Sequence, residues 1–170
     1  MTTPVAIITG GASGIGLAVT QHLLSPPYSY KVVIADLVPA STGIPLAQSL
    51  GPNCLFHQTD VSVYAQQVSL FAKAFEWGRG RLDFFATNAG IDDRESLYGV
   101  GVEEVFEVGG EKVKGPRELN LKTLRVDLDA VFQGIWLFRY WAGRNEGRKG
   151  GKELKQWTCA IVMIFKAVYY

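Results

Sequence analysis

Cysteine, histidine and methionine are scarce in this chain, two of each, and no long apolar run is present. Cys54 and Cys159 stand far apart and in no metal-ligand spacing, which argues against a disulfide framework or a zinc knuckle and fits buried thiols in a reduced, intracellular protein. His22 and His57 have no acidic or cysteine neighbour at ligand spacing. Each falls in an expected core element, so no metal site is expected. The longest apolar run, Cys159 to Phe165, has seven residues, against the roughly 18 that a membrane-spanning helix needs. The amino terminus lacks the basic segment of a signal peptide. A soluble, cytoplasmic protein is the expectation, with no membrane partner.

Charge of one sign is lacking too. The formal net charge is +1, which gives no electrostatic case for a nucleic-acid partner. The balance conceals an asymmetry: residues 1–110 carry five basic and ten acidic side chains, residues 111–155 eleven and six. Arg144, Arg148, Lys149, Lys152 and Lys155 lie in a Gly-rich stretch without interleaved aromatics and read as a solvated loop. Tyr64, Phe71, Phe75 and Trp77 recur at helical spacing and read as core packing rather than a base-stacking platform.

What is present is a foldable core. With 170 residues, 48% of them hydrophobic, the chain matches a single compact domain over 1–170. Strand and helix signals alternate. Val5 to Thr9 is a short apolar strand entering glycines, and Ile15, Val19, Leu23 and Leu24 recur at helical spacing until Ser25-Pro26-Pro27 stops them. Val32 to Ala35 and Cys54 to His57 read as further strands, with a weak helix between them that has Pro45 near its start. Ser62 is placed to cap a helix through Phe75, with Val68, Phe71 and Phe75 inward, and Leu82 to Ala86 reads as a fourth strand. Residues 91–118 are polar and Gly-rich. Leu121, Leu124, Leu128, Val131, Ile135 and Phe138 then mark a long amphipathic helix to about Trp141, before a loop and a fifth strand from Cys159. No internal repeat is visible. Five strands separated by helices predict an α/β fold, a doubly wound parallel sheet with right-handed crossovers.

The glycines concentrate function. Thr9-Gly10-Gly11-Ala12-Ser13-Gly14-Ile15-Gly16 follows the first strand and opens the first helix. Backbone N–H groups at the positive end of a helix dipole, with no Cβ in the way at Gly10, Gly14 and Gly16, suit a pair of phosphates. The spacing is not the generic G-x-G-x-x-G, because Val19 stands at the third glycine. Twenty residues after Gly16, at the end of the second strand, Asp36 can accept both hydroxyls of an adenosine ribose and would repel a 2′-phosphate. Leu37 follows it with no arginine nearby, so NAD is favoured over NADP.

With these residues the chain resembles the short-chain dehydrogenase/reductase family from Val5 to about Met163. Thr9 to Gly16 is similar to that family's cofactor loop, Asp60-Val61 to its adenine-contacting pair, and Asn88-Ala89-Gly90 to the motif after its fourth strand. Gly80-Arg81-Leu82-Asp83 and Leu124-Arg125-Val126-Asp127-Leu128 also resemble it. The prostaglandin-dehydrogenase-like branch, common in fungal secondary metabolism, is the branch it most resembles. The resemblance implies a Rossmann-type NAD(P)-binding domain and oxidoreductase activity on an alcohol or ketone. It implies cofactor contacts from Gly10, Ser13, Gly14, Ile15, Gly16, Asp36, Asp60, Val61, Asn88, Ala89, Gly90 and Arg125.

The chain departs from the family where the chemistry sits. Asp127 holds the position of the helix Asn, bringing a charge into a relay that normally ends at a neutral amide. Lys166 falls about where the family's serine should be, no serine follows Ser96, and there is no Tyr-x-x-x-Lys; Tyr169 and Tyr170 lie too early to serve. No catalytic residue is expected intact. The reading is a C-terminally truncated or degenerate member with an incomplete sheet, the family's last two strands missing, that is inactive alone. The alternative is a non-catalytic dinucleotide-binding or interaction protein that pairs with a full-length relative. Trp136, Phe138 and Trp141 on the long helix resemble half of the family's helix-bundle interface, and the fifth strand would be an apolar edge, so homo- or hetero-oligomers are expected through both.

Overall fold

The computed structural model describes residues 3–92, 101–145 and 158–161. Five strands form one parallel sheet: β1 (Val5–Thr9), β2 (Lys31–Asp36), β3 (Cys54–Gln58), β4 (Phe84–Thr87) and, late in the chain, β7 (Thr158–Ile161), in the order β3-β2-β1-β4-β7. The expected doubly wound sheet is thus the fold observed. β1 pairs with β2 from Val5 opposite Lys31 to Thr9 opposite Ala35, and with β4 through Ala6–Phe84 to Ile8–Ala86. These strands are apolar because both faces are covered. Val5, Ile7, Val33 and Ala35 face a cluster with Leu70 and Phe71 of α3 (Tyr64–Trp77) and Leu137 and Phe138 of α5 (Ala130–Ala142). On the other face Ala6, Ile8 and Val32 meet Leu23 of α1 (Gly14–Leu24), and Ile34 meets Ala47 of α2 (Ala40–Leu50).

In the first cluster Phe71 meets Phe85 edge to face, with centroids 5.0 Å apart, and Phe85 stacks on Phe138 at 5.9 Å. Each buried aromatic of this kind contributes about 1.5–3 kcal/mol of transfer free energy. Polar ties fix the starts of β1 and β4. Asp83 Oδ2 accepts from the Val5 N–H at 2.9 Å and pairs with Arg81 Nε at 2.6 Å. Asn145, buried at the end of α5, imitates a strand: its amide donates to the Leu82 carbonyl and its oxygen accepts from the Leu82 N–H, both at 2.8 Å.

Several local expectations are corrected. Ser62 does not cap α3; its N–H and hydroxyl donate to Asp60 Oδ1, and the helix starts two residues later at Tyr64, itself exposed. Val68 lies on the outer side of that helix while Leu70 and Phe71 are buried. Pro45 sits inside α2 rather than at its first turn. His22 is exposed and packs its ring against Tyr28, so it is no core residue.

Regular structure lies within the polar, Gly-rich stretch. Glu103–Val108 (β5) and Glu111–Pro116 (β6) form an antiparallel hairpin, a sheet of its own, turned by Gly109 and Gly110 at φ +63° and +87°. Two central residues at positive φ make the tight turn whose twist suits a hairpin. Nearly every residue in it is exposed, so charged side chains mask the alternation that marks a half-buried strand.

The long helix differs in phase from the sequence reading. A short α4 (Lys122–Leu124) runs into a wide π-turn, Arg125–Asp129, and then α5. The wide turn holds more residues than an α-turn and so rotates what precedes it. Leu121, Leu124 and Leu128, expected inward, are exposed, while Val126, Ala130, Val131, Gly134 and Leu137 face the core. Phe138 and Trp141, expected at an interface, pack in the core; Trp136 is exposed. Val162 to Tyr170, with Lys166, Tyr169 and Tyr170, lie outside the described residues, as do Ser96, Arg148, Lys149, Lys152 and Lys155.

Candidate functional site

β1 is followed by β2 on one side and β4 lies on its other side, so the chain's connections part at the carboxyl ends of β1 and β4. A crevice opens at such a switch point in parallel sheets. Here it is a cleft of about 480 Å³, lined by Gly10, Ser13, Gly14 and Ile15 from the first turn, and by Ala35 to Leu37 at the end of β2. Thr59 to Val61 after β3, Asn88 to Asp92 after β4, and Lys122 and Val126 complete it.

Each wall is built by short-range bonds. Gly10 turns the chain at φ +64°, and its N–H donates to the Ala35 carbonyl at 2.8 Å. Asp36 Oδ2 accepts from the Ala12 N–H at 3.0 Å and Oδ1 from the Val38 N–H at 3.3 Å, so the carboxylate braces the turn it faces. Ser13 begins α1 with no capping bond from its hydroxyl, and Gly14 follows at φ +51°. A Cβ at Gly14 would meet no protein atom within 4 Å, so packing leaves its backbone approachable; at Gly16 it would overlap the Gly10 carbonyl oxygen. Glycine is thus required at 14 by backbone conformation and at 16 by contact with β1's turn.

Thr9, which the sequence reading did not select, is the keystone. Its buried hydroxyl donates to the Ala86 carbonyl at 3.2 Å and accepts from the N–H groups of Asn88 at 3.0 Å and Ala89 at 3.1 Å. Asn88, also buried, donates its amide to the carbonyls of Thr9 and Gly10, at 3.0 and 3.2 Å, while its Oδ1 is buried with no partner among the described residues. A buried acceptor without a partner, on a residue that lines the cleft, suits a hydroxyl or N–H donor of a ligand.

Most of the selected residues gather here: Gly10, Ser13, Gly14, Ile15, Asp36, Asp60, Val61, Asn88, Ala89 and Gly90 all line the cleft. Gly16 stands behind the loop, and Arg125 is exposed away from the lining, as the wide turn directs Val126 inward in its place. Asp127 is also outside the lining; its Oδ1 accepts from the Ile91 N–H at 3.0 Å and so holds the strand-four loop. Lys122 is the lining residue that the sequence least announces, since its signal is only a place four residues before Val126 on one helical face.

Away from the cleft, burial pushes the Cys54 thiol up to about 11, which leaves it unreactive. His57 touches the hydroxyls of Thr59 and Ser69 and has its pKa lowered, chiefly by burial. Among the described residues no group of three or more His, Cys, Asp or Glu is placed to hold a metal ion, and no helix is long and apolar enough to cross a membrane.

The family model for short chain dehydrogenase matches residues 4–132. The chain is 34% identical over 167 residues to the short-chain dehydrogenase/reductase ascJ of Acremonium egyptiacum, covering 98% of this chain and 51% of that protein. It is 34% identical over 149 residues to the 3-hydroxyacyl-CoA dehydrogenase type-2 of Homo sapiens, covering 87% and 52%. Over 96 residues it is 41% identical to the sex determination protein tasselseed-2 of Zea mays, covering 54% and 26%. The chain spans about half the length of the first two relatives.

Proposed function

Because the chain belongs to the short-chain dehydrogenase family, we propose that its 170 residues form the dinucleotide-binding part of an NAD(P)-dependent oxidoreductase that acts on an alcohol or ketone. The observation that carries this reading is the cleft at the β1–β4 switch point, with a glycine turn at a helix N-terminus on one wall and, on another, Asn88, whose buried Oδ1 has no partner among the described residues. The fit is chemical. The N–H groups of Ser13, Gly14 and Ile15 suit phosphate oxygens, Asp36 suits the hydroxyls of an adenosine ribose, Asp60 and Val61 an adenine, and Asn88 a ribose hydroxyl.

Asp36 and Leu37 favour NAD over NADP, since a 2′-phosphate would meet the Asp36 carboxylate, and Leu37 rather than an arginine follows it. A bound nicotinamide supplies hydride chemistry. Reducing a carbonyl also requires a proton donor and a group to hold the oxygen. These residues include no serine beyond Ser96 and no Tyr-x-x-x-Lys, and Asp127 holds a backbone N–H rather than facing the cleft. Binding without turnover by these 170 residues alone is the expected behaviour, in one cytoplasmic nucleotide-binding domain.

Titration with NADH, followed by ligand fluorescence, tests the reading. Micromolar binding is expected, and Gly14→Val, a β-branched residue forced to positive φ in the cleft wall, should weaken it at least about tenfold. No binding by the unaltered chain overturns it.

A second reading has its own observation. Leu124, Leu128, Phe132, Trp136 and Tyr140 recur every four residues and are all exposed, Phe132 by 64% and Trp136 by 62%. Such a stripe suits an interaction protein that pairs through its long helix with a copy of itself or with a full-length relative. Co-purification with such a relative, without NADH binding, would favour this second reading.

A further inference from the structure

We propose that Lys122 is the cation that pairs with a phosphate of the bound dinucleotide, an inference that rests on the dinucleotide reading above. Among the described residues, four charged side chains line the cleft: Asp36, Asp60, Asp92 and Lys122. Asp36 and Asp60 outweigh Lys122 there, and Asp92 has a partner of its own, so the cleft attracts an anionic ligand poorly unless a cation is directed at it. The carboxylates of Asp36 and Asp60 cannot be traded away, because each accepts hydrogen bonds from the turns that build the cleft. The α1 N-terminus offers the equivalent of about half a positive charge, too little alone to offset both the carboxylates and a pyrophosphate.

Lys122 supplies what is missing. Its backbone is fixed at the start of α4, where its N–H donates to Asn120 Oδ1 at 3.0 Å, and it lies on one helical face with Val126, which also lines the cleft. The side chain is exposed at the cleft wall, and among the described residues its ammonium has no ion-pair partner. A long, free cation beside an otherwise anionic cleft has a phosphate as its natural counterion, from the pyrophosphate or from a 2′-phosphate.

The 170-residue chain is titrated with NADH and with NADPH. Lys122→Gln should bind about tenfold more weakly, Lys122→Arg within about twofold of the unaltered chain, and Lys112→Gln, on the remote hairpin, unchanged. Raised salt should weaken the unaltered chain more than Lys122→Gln. Loss with both ligands puts the pairing at the pyrophosphate, and loss with NADPH alone puts it at the 2′-phosphate. Thermal midpoints matched to the unaltered chain show that each variant is folded. The inference is overturned if Lys122→Gln binds both ligands like the unaltered chain, with the same salt dependence, while Gly14→Val still loses binding. If the unaltered chain binds neither ligand, the dinucleotide reading falls first and this one with it.

Discussion

Gly14 and Gly16 stand two residues apart and fail for different reasons, which makes them separable by experiment. A methyl group at Gly16 would strike the Gly10 carbonyl oxygen and the Asn88 amide, neither of which can retreat without releasing the turn. Gly16→Ala should therefore cost about 2 kcal/mol of stability, read as a fall of several degrees in the thermal midpoint, even with no ligand present. A Cβ at Gly14, by contrast, would meet no protein atom within 4 Å. Gly14→Val should strain its own backbone and, unlike Gly16→Ala, put its side chain where the ligand approaches, so its loss of binding should exceed what its loss of stability explains. His57 gives a pH handle at the same scale. Burial lowers its folded pKa, helped by the charge of Lys73 and opposed by the backbone bond to Gln58. A histidine whose folded value is lowered contributes stability that is complete above its unfolded value of about 6.5 and is lost as pH falls from there through the folded value. In His57→Gln, thermal midpoints measured against pH should fall less steeply below about pH 6.5.

At the scale of elements, the exposed stripe from Leu124 to Tyr140 sits on a helix whose other side is fully engaged with Phe71 and Phe85. Replacing Phe132 and Trp136 together by Glu should leave the helical content unchanged and convert an associated species to a monomer in sedimentation at micromolar concentration. A monomeric unaltered chain at that concentration would refute the stripe as an interface. The stripe also shows where sequence reading ran out. Counting apolar residues at steps of three and four joined Leu121 and Leu124 to Val131 and Phe138 as one face, because periodicity assumes a constant turn. The wide turn at Arg125–Asp129 breaks that assumption, and it moved Arg125 off the cleft and Val126 onto it. The β5–β6 hairpin escaped for another reason. Gly109-Gly110 is a recognisable turn, but the strands beside it bury nothing, and burial is what writes a pattern into a strand.

At the scale of the whole molecule, the sheet and most of the cleft were legible because both are local in sequence. Strand, turn and helix follow within 20 residues in the first unit, and the loops that carry Gly10, Asp36, Asp60 and Asn88 each leave a strand at the same end of a parallel sheet. Thr9 and Lys122 were not legible, since their roles depend on contacts across 77 or more residues or on the phase of a helix. The same order along the chain governs assembly. β1 to β4 and their helices are complete by residue 87, whereas β7 pairs with β4 only from residue 158. On the ribosome, four strands and three of the cleft's loops leave the exit tunnel and can pair while β7 is still untranslated. The flank of β4 therefore waits bare in the nascent chain, a vulnerable interval in which chaperone attendance matters most.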